Sequence, residues 1–125
     1  MKLSISAVLG MATMLALATV PSLAHHSQAM FDRTKTVDVS GTVREFHFSN
    51  PHVLLEVDVP GVDGNVVTWS FESSGIMELM RVGVKRSTLK AGEKVLVKAN
   101  PLKDGRPGGS LIEVTKADGT VVGRR

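Results

Sequence analysis

The four histidines of this chain all lie between His25 and His52, and there is no cysteine. Neutral imidazole nitrogens without thiolates suit copper(II), zinc or nickel, and copper(II) stands highest among them in the divalent affinity order. His25 and His26 are adjacent, and they follow Ser22-Leu23-Ala24, where small residues occupy the −3 and −1 positions of an export-signal cleavage site. Cleavage after Ala24 makes His25 the first residue, with a free amine of pKa about 8 that gives up its proton to a metal. Amine and ring nitrogen of that one residue then close a chelate ring. Cleavage one residue earlier places His26 third and gives a different copper chelate, built from amine, backbone amides and imidazole. The metal ligands expected from the sequence are therefore His25, His26, His52 and His47, with copper(II) as the metal and no other cofactor.

Other chemistries find little footing. The serines sit in no nucleophile elbow, and no phosphate-cradling glycine loop opens a helix. Gly105-Arg106-Pro107-Gly108-Gly109 precedes a strand pattern, so it reads as a hairpin loop. Glu56 and Asp58 are two apart on a strand, the spacing of a solvated face. Met77 and Met80 fall at packing spacing on a helix and read as core, with thioether binding of copper(I) as the alternative. No catalytic constellation emerges, and the chain is read as a non-enzyme. An enzymatic reading requires a pocket lined by His52, Glu72 and Asn100.

The positioning elements are strands. Val37, Val39, Gly41 and Val43 alternate with polar residues, and Phe46 and Phe48 alternate in the opposite phase. That slip at Arg44-Glu45 predicts a β-bulge within one long, bent strand, with Gly41 allowing the bend. Ser49-Asn50-Pro51 is a turn. Val53, Leu55, Val57 and Val59 mark the second strand, and Val67, Trp69 and Phe71 the third, with Trp69 on the inward phase. Keeping both apolar sets inside requires an odd residue sum between the first two strands. The shortest turn that respects Pro51 pairs His47 with His52, whose β-carbons would then lie roughly 5 Å apart on the solvent face. A short helix follows, with Ile76, Leu79 and Met80 on one side, a cap from Ser73 or Ser74, and Gly83 at its end. Strands over 94–99, 111–115 and 121–122 complete the chain. Three strands, a helix and two or three further strands, with a bent first strand, predict a mainly β fold: a small five- to six-stranded OB-like barrel with one short helix after the third strand.

Lys2 and the apolar run from Ile5 to Val20, ended by Pro21, complete the pattern of a secretory signal. The expected organisation is a cleaved signal over 1–24, an arm over 25–34 tucked in by Met30 and Phe31, and a barrel domain over 35–125. The expected location is the periplasm, without a membrane span in the mature chain. Without disulfides, stability rests on packing and hydrogen bonds. Residues 25–72 carry a balance of −4 and residues 73–125 a balance of +6. Charge divided in this way steers a charged partner. Nucleic acid is a poor fit, since no basic stretch is interleaved with stacking aromatics.

Several motifs together resemble a bacterial family of small exported proteins known only as a domain of unknown function. They are His25-His26-Ser27 with Met30-Phe31-Asp32, then Gly41-Thr42-Val43, Phe46, Phe48 and Asn50-Pro51-His52. Trp69-Ser70-Phe71-Glu72, the run Leu89 to Val95 and Asn100-Pro101-Leu102-Lys103-Asp104-Gly105 continue the pattern. His47 lies outside it, so the resemblance implies His25, His26 and His52 as the shared histidines. The reading is an exported binding module for a divalent metal. Its alternative is a periplasmic adaptor that binds a protein or small ligand without metal.

Overall fold

The first strand sets the architecture. The computed structural model describes residues 28–123, so the Ala24-His25 junction and His26 lie outside the described residues. β1 (Val37–His47) is long enough to serve two partners. Residues 37–42 pair antiparallel with β4 (Lys94–Pro101), and residues 42–47 pair antiparallel with β2 (Leu54–Pro60). The register slips between Val43 and Glu45, which is the bulge that the phase change predicts. Gly41 sits at the bend. A Cβ there would lie 2.5 Å from the Asp58 carbonyl oxygen and from Val57 Cγ1, so only glycine lets β2 cross so closely.

β3 (Val66–Glu72) pairs antiparallel with β2, and β5 (Gly108–Lys116) with β4. Parallel pairing of residues 70–72 with 108–110 joins β3 to β5 and closes a five-stranded barrel. β6 (Val121–Val122) adds to β5, and α1 (Ile76–Arg81) is the short helix after β3. The expected OB-like barrel is what the chain forms. β4 and β5 run further than their apolar alternation indicated, because backbone pairing continues through Asn100-Pro101 and Gly108-Gly109.

The inward alternation fills the barrel with Val43, Leu55, Val57, Phe71, Val97 and Val114, all fully buried. Each such side chain contributes about 1.5–3 kcal/mol by leaving water. Leu79, Val84 and Leu89, from α1 and the connection after it, join the same core. Trp69 is partly buried and stacks on Phe71, with ring centroids 6.0 Å apart.

Two helix expectations need correction. Met80 is 57% exposed and Met77 65%, so neither is core; the six-residue helix buries only Leu79 fully. Its first amide is not capped by Ser73 or Ser74 either. Gly75 holds the N-cap position, and the Ile76 amide donates to Asn50 Oδ1 at 3.0 Å.

The arm lies along the end of β4. Phe31 is buried and bridges to Leu102, the Asp32 amide donates to the Pro101 carbonyl at 2.8 Å, and the Lys103 amide to the Met30 carbonyl at 2.9 Å. Phe31 is the tucked residue, while Met30 stays 38% exposed. Among the described residues no helix is long and apolar enough to cross a membrane.

Candidate functional site

β1 delivers His47 to the outer face of the barrel. The strand pairs His47 with Leu54, Phe46 with Leu55 and Glu45 with Glu56. The residue sum is odd, as the apolar phases require, but the register is two residues longer than the shortest turn. His47 therefore does not face His52. The cause is visible at Val53: its amide donates to the Ser74 carbonyl at 3.0 Å, and its own carbonyl accepts from the Ser73 amide at 2.8 Å. Val53 thus extends the β2–β3 ladder, and residues 48–53 are used as a connection.

Around His47 the outer face is densely charged. Its Nδ1 lies 3.2 Å from Glu45 Oε1 and its Nε2 3.8 Å from Glu56 Oε2. The three side chains offer ligand atoms all within 4.8 Å of one another, a spacing that can hold a metal ion. The bulged Arg44 comes to the same place, 4.0 Å from Glu56 and 3.7 Å from Asp58. A guanidinium so near already answers part of the negative charge that a cation needs.

His52 lies in a cleft of about 410 Å³ lined also by Gln28, Glu72, Ser74, Met77 and Ser110. Asn50 fixes the turn before His52 through its bond to the first amide of α1. Glu72 ends β3, opposite Leu54 on β2 and beside Ser110 on β5. His52 Nδ1 is 2.9 Å from Glu72 Oε1. That oxygen is buried and accepts no aligned hydrogen bond. A buried carboxylate oxygen in that state retains a demand for a cation or donor. Nδ1 faces the carboxylate, so Nε2 is the nitrogen left for a ligand.

The arm contributes to this cleft. Gln28 lines it, and the Arg33 guanidinium donates to the Gln28 side-chain oxygen. Of the expected ligands, His52 is thus in the cleft, His47 is in the separate outer cluster, and His25 and His26 lie outside the described residues. Asn100, required by the enzymatic reading, is not among the residues lining the cleft; its Nδ2 donates to the Lys35 carbonyl at 2.8 Å. Glu45, Glu56 and Met77 were not expected near a histidine. The hairpin turn at Pro60-Gly61 held the clue for Glu72, since counting six residues back from Pro60 and six forward from Val66 sets Glu72 opposite Leu54.

Residues 12–111 match the model of a family of unknown function, DUF6152. No curated protein and no solved structure matches the chain.

Proposed function

The chain belongs to DUF6152, a family of unknown function, and from its own residues we propose an exported, periplasmic binding module that holds copper(II) in the His52 cleft. The observation that carries this reading is that Gln28 lines the same cleft as His52 and Glu72. Three residue steps separate His25 from Gln28, a span of at most roughly 10 Å. Cleavage after Ala24 would leave the terminal amine and both imidazoles no more than three residue steps along the chain from Gln28, which is the basis for assigning them to this cleft. Amine, His25, His26 and His52 supply a nitrogen-rich, thiolate-free set, and Glu72 orients His52 and offsets the charge of the ion. The signal pattern over residues 1–24 supports the location.

The outer cluster of Glu45, His47 and Glu56 is the rival position. Arg44 beside Glu56 weighs against it, because the cation would have to displace or tolerate a guanidinium. Copper(II) titration against a competing chelator decides between them, using protein that begins at His25. His52→Asn and an extra residue placed before His25 should each weaken binding about 100-fold or more, the upper range for disturbing a metal's surroundings. His47→Asn should leave affinity within about twofold. Equal affinity with and without the extra residue would sink the terminal chelate. A partner captured equally well after chelation and after loss of His25 would favour the adaptor reading.

A further inference from the structure

We infer that the same cleft also takes cuprous copper, with Met77 Sδ as the soft ligand beside His52. This rests on the copper reading above and extends it to the second oxidation state. Met77 is the second residue of α1, and the start of that helix is tied to the turn before His52 by the Ile76 amide on Asn50 Oδ1. Gly75 lies close against the same turn: a Cβ there would come within 3.0 Å of the Pro51 carbonyl oxygen. The helix start and the histidine turn are therefore tied to one another, and Met77 lines the cleft with His52 and Glu72.

Core packing does not explain this methionine, whose side chain is 65% exposed at the cleft. Its three rotatable bonds let the thioether swing toward a neighbouring atom at small cost. Thioether sulfur selects copper(I), whereas imidazole and amine nitrogens serve copper(II). A cleft holding both donor types accommodates either state by exchanging which ligands it uses. Met80 provides an internal contrast. It lies on the same helix and is 57% exposed, but it does not line the cleft.

The test uses the protein beginning at His25, with Met77→Leu and Met80→Leu variants. Both are volume-conserving changes at exposed positions, and circular dichroism checks that the barrel is intact. Cuprous affinity is measured anaerobically against a coloured copper(I) chelator, and cupric affinity is measured on the same samples. Met77→Leu should weaken copper(I) at least about tenfold, the smallest loss seen on disturbing a metal's outer shell. Copper(II) affinity should stay within about twofold in both variants, as should copper(I) affinity in Met80→Leu. X-ray absorption of the cuprous wild type should show a sulfur neighbour that Met77→Leu lacks. If copper(II) binds tightly while Met77→Leu leaves copper(I) unchanged, the inference falls and the copper(II) reading stands. If the wild type binds neither state, both fall together.

Discussion

His47 and His52 lie on either side of one turn, and each faces a carboxylate, yet their surroundings differ in kind. His47 sits on an open strand face where Glu45, Glu56 and Asp58 are met by Arg44. His52 sits in a concave cleft where a buried oxygen of Glu72 lacks an aligned donor. An exposed ion-pair network is largely satisfied by itself and by water, and such pairs are worth about 0–1 kcal/mol each. An enclosed carboxylate with an unmet demand retains its attraction for a cation. What separates a candidate site from a charged surface here is the balance left over after neighbouring groups have been counted, and not the number of potential ligands.

The strongest way to break the contrast is to loosen the strand that carries Glu72. Phe71 is fully buried and directly precedes Glu72 in β3. Phe71→Ala should cost about 3–5 kcal/mol of stability, the usual range for such a cavity, as read by chemical denaturation. A loss below about 1 kcal/mol would show that β3 does not depend on this packing.

A pair of carboxamide substitutions compares the two regions directly. Glu72→Gln keeps the shape of the side chain but removes the charge facing His52, and copper(II) affinity should fall about 10–100-fold. Glu56→Gln does the same beside His47 and should change copper(II) affinity less than about twofold. It should shift stability by no more than about 1 kcal/mol, since Glu56 pairs at the surface. The reverse ranking of the two variants would move the site to the outer face.

The smallest effect concerns neither histidine. Asp63, Asp104 and Asp118 each accept a hydrogen bond from the backbone amide two residues on, which holds these loops in shape. For Asp104 the Arg106 amide and then its side chain hold the carboxyl below its ordinary value, and for Asp118 the Thr120 amide and hydroxyl do so. A carboxyl with a lowered folded pKa stabilises the fold above its unfolded value of about 3.9 and loses that contribution as pH falls through the lower folded value. Wild type should therefore exceed Asp104→Asn slightly in denaturation midpoint at pH 7. The gap should close as pH falls below about 4, while copper(II) affinity at pH 7 stays the same in both. A gap that widens in acid would reverse the sign of this account.

Much of the barrel is legible from apolar phase alone. The slip at Arg44-Glu45 marks the bulge, Gly41 marks the bend, and Phe46 and Leu55 fall opposite one another as an odd residue sum requires. Gly83, with a φ of +82°, follows the end of α1, where a helix-stopping glycine is expected. The helix start is a different matter. Its partner, Asn50, is 26 residues earlier in the chain, beyond any local capping rule. Met80 fell on an apolar spacing, but the short helix meets the core along Ile76 and Leu79 only.

By itself the sequence determined which residues face inward, where the long strand bends, and which ligand chemistry is available: imidazole, carboxylate and thioether without thiolate. Tertiary structure decided the partners. A strand repeats every two residues, so moving β1 against β2 by two keeps every side chain on its face while exchanging every neighbour. Pairing of Val53 with Ser73 and Ser74 chose between those registers, and in doing so it set His47 among Glu45, Glu56 and Arg44 and left His52 to Glu72.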